Sequence, residues 1–204
     1  MKRLKIYFFL AFTLLAMEGF SQQMSYRDIV GLSWEMSFPT GNNFLSKSSP
    51  AGGRLEFRRM VNPNFSAGLA FSWNSFSEYF SSRTYKNDQG VAVTTDMVRE
   101  IYTAPITAIF HYYPTLSNRM IKPYVGLGIG GQYAEQNVYF NIYQINSNDW
   151  GFVVRPEIGT LVRFTPSFAA LLTFSYNYAT NKNKAFDQSS LQQFGINLGV
   201  AGLF

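Results

Sequence analysis

The chain has 204 residues, a net charge of +5 at pH 7 and no cysteine. The absence of cysteine excludes disulfides, thiolate nucleophiles and cysteine metal sites, and the basic residues are too dispersed to follow a phosphate backbone, so nucleic-acid binding is not expected. Aromatic residues make up 18% of the chain and charged residues only 14%, which favours alternating strands with rings at their ends.

The N-terminus has the pattern of a secretory signal peptide. A basic head precedes the apolar run Ile6 to Met17, and Gly19 and Ser21 are the small residues that a signal peptidase reads. The apolar run is shorter than the roughly 20 residues that a transmembrane helix needs. We therefore expect a cleaved signal over residues 1–21 and a single domain over residues 22–204.

Alternation with a period of two predicts eight strands. They run from Ile29 to Phe38, Gly53 to Val61, Phe65 to Ser77, Thr95 to Tyr113, Pro123 to Phe140, Trp150 to Phe164, Phe168 to Ala179 and Ser190 to Phe204. Tight turns alternate along the chain with longer polar connections, which are Pro39 to Gly52, Glu78 to Thr94, Asn141 to Asp149 and Thr180 to Gln188. Short periplasmic turns and long extracellular loops are typical of outer-membrane barrels, and this pattern puts both chain ends in the periplasm.

One face of each predicted strand is apolar and begins or ends in rings, as a lipid-facing wall requires. The candidate girdle residues are Trp73, Tyr102, Tyr112, Phe164, Phe168 and Tyr176. At about 3.4 Å per residue and a tilt of about 40°, the step from Tyr102 to Tyr112 rises about 26 Å, close to the expected apolar band of about 25 Å. The expected fold class is all-β, an eight-stranded antiparallel up-and-down transmembrane β-barrel with a packed polar interior.

The opposite faces of the strands collect most of their charge. The candidate interior charge network consists of Glu35, Arg54, Glu56, Arg58, Arg99, Arg155, Glu157 and Arg163. Eight strands enclose just enough space for side chains to fill, so these groups should pair, because an unpaired buried charge costs several kcal/mol. Inward glycines at Gly126, Gly128 and Gly130 would leave them room. A gated ion or proton path is the alternative interpretation of the same cluster.

The fourth and fifth predicted strands are longer than the 9–11 residues that one crossing needs. Their excess, with the end of the third, predicts a small sheet above the membrane with a free edge that can pair with another strand. The alternative is that these segments are long loops.

No catalytic, metal or cofactor site is expected. The one histidine, His111, precedes Pro114 of a predicted periplasmic turn by three residues, far from the outer leaflet that would hold a lipid substrate. Glu56 and Glu157 have arginines interleaved with them, which keeps carboxylates ionised. The run Gly126 to Gly131 matches a dinucleotide fingerprint, but no helical pattern follows it. A lipid-modifying enzyme is the alternative.

Four segments carry a resemblance to a known family: Phe20 to Gln23, Arg99 to Ile106, Lys122 to Gly128 and the terminal Phe204. Together with the alternation, they resemble the small outer-membrane β-barrel family, the class that includes the OmpX and OmpA transmembrane barrels and the PorT-like barrels. The resemblance covers essentially the whole mature chain. It implies an outer-membrane location and a C-terminal strand, ending in Phe204, that the barrel-assembly machinery reads. PorT-like members are implicated in protein secretion.

Three functions follow as hypotheses. The first is a non-enzymatic closed barrel whose loops and strand ends bind another cell, a surface protein or lipopolysaccharide, with membrane lipid around its wall. Loop charges of both signs balance and do not choose among these partners. The second is an accessory subunit of an outer-membrane secretion or assembly machine that contacts protein partners through the barrel wall. The third is a narrow channel.

Overall fold

The computed structural model of the chain is a closed barrel in which eight antiparallel strands follow one another in sequence order. It describes residues 26–40, 44–86, 92–115, 120–140, 143–183 and 188–204. The strands are β1 (Asp28–Thr40), β2 (Ser49–Asn62), β3 (Phe65–Lys86), β4 (Ala92–Tyr112), β5 (Ile121–Phe140), β6 (Tyr143–Arg163), β7 (Phe168–Ala179) and β8 (Leu191–Leu203). The predicted fold class is confirmed. The predicted signal peptide lies outside the described residues.

The first and last strands close the barrel. β1 pairs with β8 continuously from the rung of Ile29 with Leu203 to the rung of Thr40 with Gln192. Such closure leaves no sheet edge within the wall, so backbone polar groups there can pair with a neighbouring strand on both sides. No helix in the described part of the chain is both long and apolar enough to cross a membrane.

The two faces of each strand differ as a lipid-facing wall requires. On β7, for example, the outward Phe168 and Phe174 are exposed, whereas the inward Ala169, Leu171 and Thr173 are buried. The same alternation runs around the barrel: the outward positions are mostly large and apolar, whereas most inward positions in the middle of the strands are small or polar. Because successive side chains of a strand point to opposite faces, this sequence pattern suffices to orient all eight strands.

Strands β1 to β6 are longer than predicted. The expected loop from Pro39 to Gly52 is shorter at both ends, since β1 continues to Thr40 and β2 begins at Ser49. The expected loop from Glu78 to Thr94 is mostly strand, since β3 continues to Lys86 and β4 begins at Ala92. Likewise β6 begins at Tyr143 instead of Trp150. The predictions were wrong here because these segments carry polar side chains on both faces, so backbone pairing continues where the alternation in hydropathy stops.

The two ends of the barrel differ. The terminus end carries residues 26–28 and Phe204, and the connections from β2 to β3 and from β6 to β7 at this end are short. The other end is called the loop end, and there β3 to β6 extend beyond their neighbours. The last paired residues of β2 and β3 at this end are Gly52 and Asn74, and those of β6 and β7 are Val153 and Ala179. These extensions form a four-stranded projecting sheet, made of residues 75–86, 92–102, 135–140 and 143–152.

Candidate functional site

The middle of the barrel interior is filled by ion pairs that cross the lumen. Arg54 of β2 reaches Glu157 of β6 at 2.7 Å, and Arg155 of β6 reaches Glu35 of β1 at 3.0 Å. Arg58 pairs with Glu56 at 2.6 Å along β2. Each of these six side chains is at most a few per cent exposed. The structure therefore brings together six of the eight candidate network residues as three acidic and three basic groups.

Glycines on β5 provide the space for this network. A Cβ atom at Gly126 would overlap the ring of His111 and lie 3.0 Å from Cγ of Glu157. A Cβ at Gly128 would sit 3.4 Å from Cβ of Arg155. Since the lumen of eight strands is narrow, β5 contributes little side-chain volume where β6 contributes a large ion pair.

His111 belongs to the same network. Its Nε2 atom contacts Oε1 of Glu157, and its ring meets the Tyr124 ring edge-on with centroids 4.9 Å apart. The Tyr124 and Tyr113 hydroxyls lie 3.1 and 3.2 Å from the Arg58 guanidinium, which donates to both. The imidazole is 1% exposed, and its neighbours are those of a structural group in a packed interior.

The other two candidate network residues lie at opposite ends of the barrel. Arg99 is at the loop end, with its guanidinium 5.1 Å from the Phe44 ring and 4.8 Å from the Phe80 ring. Arg163 is at the terminus end, 5.3 Å from the Tyr26 ring. Both lie away from the central ion pairs, because alternation identifies the face of a side chain but not its height along the barrel.

Two apolar clusters, which the sequence analysis missed, seal the network above and below. The terminus-end plug consists of Tyr26, Ile29, Met60, Tyr113, Tyr124, Leu161, Ala169, Leu171, Ala201 and Leu203. The loop-end plug consists of Phe44, Leu45, Phe76, Met97, Ile101, Ala134, Val138, Val153, Ala179 and Leu191. The sequence does contain a pattern that predicts these plugs. In several strands the inward positions are apolar near both ends and polar in the middle.

A layer of buried amides lies near the loop-end plug. Asn177 donates to Gln132 at 2.8 Å, and Gln132 donates to Asn181 at 3.2 Å. Gln136 contacts both Asn183 and Gln188, so these two residues lie at the mouth of the barrel. Amides can satisfy one another as donors and acceptors, which makes a layer of them a stable filling without net charge.

The segment after β1 closes the mouth from the other side. Ser46 donates to Glu78 through its backbone N–H at 2.7 Å and through its hydroxyl at 2.9 Å, and the Lys47 N–H donates to the same carboxylate at 3.3 Å. Partial burial acts to raise the pKa of Glu78, but these hydrogen bonds and the nearby Arg99 guanidinium outweigh it and hold the pKa below its usual range.

The candidate girdle residues all point outward from the wall. Trp73, Tyr102 and Tyr176 lie toward the loop end, and Tyr112, Phe164 and Phe168 lie toward the terminus end. Five of the six side chains are exposed, whereas that of Tyr176 is half-buried, donates to Gln192 at 2.6 Å and packs on Phe194. The terminal Phe204 is 71% exposed, and its carbonyl accepts from the Asp28 N–H at 2.9 Å.

The projecting sheet has an unpaired edge along β6. The Phe152 N–H donates to the Thr180 hydroxyl, and the Phe152 carbonyl accepts from the Thr180 N–H, so Phe152 turns its backbone polar groups toward β7. Alternate residues of a strand turn the same way. Gln144, Asn146, Asn148 and Trp150 therefore present backbone N–H and C=O groups to the side on which β7 has ended, with no backbone partner among the described residues.

The described residues contain no group of three or more His, Cys, Asp or Glu side chains that could hold a metal ion. In the interior, the Glu35, Glu56 and Glu157 carboxylates each contact at least one arginine. This geometry suits a filled core.

Comparison with known proteins agrees with the fold. The model of the family described as outer membrane protein beta-barrel domain matches residues 8–202. Two solved structures are similar over most of their lengths. Ail, the attachment invasion locus protein of Yersinia pestis, has a TM-score of 0.53 and 14% identity, covering 89% of this chain and 100% of that chain. The outer membrane protease OmpT of Escherichia coli has a TM-score of 0.51 and 8% identity, covering 90% and 99%.

A second structure of Ail, in complex with the heparin analogue sucrose octasulfate, has a TM-score of 0.50 and 16% identity, covering 89% of this chain and 100% of that chain. At identities this low the likeness shows the fold alone. No curated protein sequence matches the chain.

Proposed function

The chain belongs to the outer membrane protein β-barrel family, and from that premise we propose that it is a closed, non-enzymatic barrel that binds a protein partner at the cell surface through the free β6 edge of its projecting sheet. In this proposal the loop end faces outward and both termini lie in the periplasm. The free edge carries the proposal, because unpaired N–H and C=O groups in a row can add a strand from another chain.

Three features of the edge favour this role. The edge is raised above the wall, since β7 pairs with β6 only from Val153 onward. Its lower part is held in place, because the Asp149 carboxylate accepts from the Lys182 N–H at 2.7 Å. Its upper part, from Gln144 to Asn148, is paired with β5 on one side only. A strand that is already paired on one side loses less conformational entropy than a free segment when a partner strand pairs with it.

The filled interior supports a role without catalysis or transport. The apolar plugs at both ends and the ion pairs between them leave the outer surface as the place where this barrel meets other molecules. Ail, which has the same fold, is called an attachment invasion locus protein, and an attachment role for this chain agrees with its projecting sheet.

The test uses a matched pair of substitutions at Asn148. Proline removes the N–H that points to the free edge and is tolerated at edge positions, whereas alanine removes the same side chain and keeps the N–H. We expect bacteria that carry Asn148→Pro to lose attachment to a cell layer or to a protein-coated surface, and bacteria that carry Asn148→Ala to keep it. Heat-modifiable electrophoretic mobility checks that both barrels are folded. Equal attachment by the two variants would remove the edge from the proposal.

The second candidate, an accessory subunit of a secretion or assembly machine, would use the wall instead. A photo-crosslinking residue placed at Asn148 samples the edge, and one placed at Phe57, which is 43% exposed on the outward face of β2, samples the wall. Adducts to a stoichiometric complex through position 57 alone would favour the machine. Adducts to a protein partner through position 148 alone would favour attachment through the edge.

A further inference from the structure

The outer face of the projecting sheet carries a regular polar surface between two aromatic rows. Cross-strand register aligns two rungs over four strands, and their outward residues form what is called here the polar trough: Ser75, Tyr102, Glu135 and Asn148 in the lower rung, and Ser77, Glu100, Asn137 and Asn146 in the upper rung. These positions continue the outward face of the wall, so the trough stands directly above the lipid-facing surface.

Aromatic side chains bound the trough below and above. Below it, Tyr133 and Trp150 face each other across β5 and β6 with ring centroids 5.6 Å apart, and Trp150 is 66% exposed. Above it, Val98 of β4 pairs with Tyr79 of β3 on one side and with Tyr139 of β5 on the other, so the two tyrosines lie at the same level. Tyr79 is 63% exposed. The distance along β5 from Tyr133 to Tyr139 is about 20 Å at about 3.3 Å per residue.

The polar groups within the trough are fixed by one another. Asn146 donates to Asn137 at 2.6 Å and to Glu135 at 3.0 Å, and Asn137 donates to the same Glu135 oxygen at 3.1 Å. The Tyr102 hydroxyl donates to Glu100 at 2.9 Å. These bonds hold planar amides and carboxylates in set orientations, and a carboxylate retains further acceptor capacity for a ligand hydroxyl.

We propose that the polar trough binds uncharged sugar residues of the lipopolysaccharide that surrounds the barrel. Rings that expose their faces beside fixed amide and carboxylate groups match the apolar C–H faces and the hydroxyls of a sugar. The trough and its aromatic rows contain two carboxylates, Glu100 and Glu135, and neither lysine nor arginine. That charge disfavours a phosphate or sulfate group, so the ligand is a neutral saccharide.

The height of the trough is consistent with this ligand. Tyr133 and Trp150 end the aromatic girdle on β5 and β6, and girdle rings sit at the level of the lipid head groups. The lower rung of the trough lies one rung above them and contains Tyr102, itself a girdle residue. The upper rung and the tyrosines above it therefore meet sugars that lie farther from the membrane than the lipid phosphates. This inference rests on the outward orientation of the loop end given under Proposed function, but not on the free edge of β6.

The test compares two aromatic residues on opposite faces of the same sheet. Tyr139 is on the outer face above the trough, whereas Tyr143, which is 60% exposed and near Phe140, is on the inner face. The probe is the dephosphorylated oligosaccharide released from the lipopolysaccharide of the source bacterium, added to the purified barrel in detergent micelles and followed by calorimetry. We expect binding that Tyr139→Ala and Asn146→Ala each weaken at least tenfold and that Tyr143→Ala leaves unchanged.

Three results would overturn the inference: no binding of the oligosaccharide at millimolar concentration, equal weakening by Tyr139→Ala and Tyr143→Ala, or tighter binding of a sulfated heparin oligosaccharide. The proposed function fails separately. Its orientation is checked on intact cells by labelling a single cysteine introduced at Asn148 with a membrane-impermeant reagent, and its edge by the Asn148→Pro and Asn148→Ala pair. A barrel that attaches through its edge but ignores the oligosaccharide would refute only the sugar site.

Discussion

At Glu157 a single buried carboxylate meets several basic side chains. Arg54 lies 2.7 Å from one of its oxygens, His111 contacts the other, and Nε of Arg155 is 3.9 Å away. Arg54 also pairs with Glu56 at 3.0 Å, so Glu157 links the pairs of β2 to those of β6 across the lumen. Removing one member of such a network leaves its partners charged and buried, which costs more than the intact pair contributes.

The residue-scale prediction from this geometry concerns Glu157→Ala. It should lower the free energy of unfolding by about 3–5 kcal/mol, because Arg54 would remain buried without its closest carboxylate. Denaturant titration of the barrel in lipid vesicles, followed by tryptophan fluorescence, measures the change. Arg59→Ala is the control, since its pair with Asp28 is solvent-exposed and should contribute little. A loss no larger than that of the control would contradict the role given to the network.

A second residue-scale prediction concerns pH at the mouth of the barrel. Because the pKa of Glu78 is lowered in the folded state, the docking of Ser46 and Lys47 is fully present above the ordinary glutamate value of about 4.3 and is lost as the pH falls through the lowered pKa. The amide NMR shifts of Ser46 and Lys47 should therefore move together on acidification below about pH 4.3. In Glu78→Gln they should not titrate, and a titration that persists there would implicate another group.

At the scale of the strand, the sequence identified the wall better than what stands above it. Alternation predicted β7 from Phe168 to Ala179, the observed bounds, because lipid on one side and a packed lumen on the other require two different faces. The same signal is weak beyond the membrane. On β6 the residues Gln144, Asn146 and Asn148 point outward and are polar, so nothing in hydropathy distinguishes this paired strand from a loop.

A prediction for the strands concerns the pairing of β1 with β8 that closes the barrel, called here the seam. A Cβ atom at Gly199 would overlap the Leu32 carbonyl and lie 2.5 Å from Cβ of Ser33, both on β1. Gly199→Ala should therefore push the closing strands apart and lower the yield of folded barrel, read as the heat-modifiable band on electrophoresis. Gly131→Ala is the matched control, because its nearest neighbour would be the Trp150 ring at an ordinary 3.7 Å. Equal yields would show that the seam can shift without loss.

At the scale of the whole molecule, the lumen is layered from the terminus end to the loop end as an apolar plug, an ion-pair network and a second apolar plug with buried amides beside it. The closed barrel and the family followed from the sequence, because both depend on alternation that every strand repeats. The layering did not, because it depends on the stagger between neighbouring strands. That stagger sets which inward residues share a level, and it places Arg155 near Glu35, which is 120 residues away in the chain.

The layered lumen predicts that the barrel conducts no ions. The loop-end plug and the ion pairs beneath it fill the lumen with side chains. Planar bilayers that contain the folded barrel should therefore show no single-channel steps. Phe44→Ala should also be silent, since the ion pairs beneath the loop-end plug still fill the lumen. Conductance steps in the wild-type protein would contradict a sealed lumen. Steps in Phe44→Ala alone would show that the loop-end plug seals the lumen and that the ion-pair network only holds β1, β2 and β6 together.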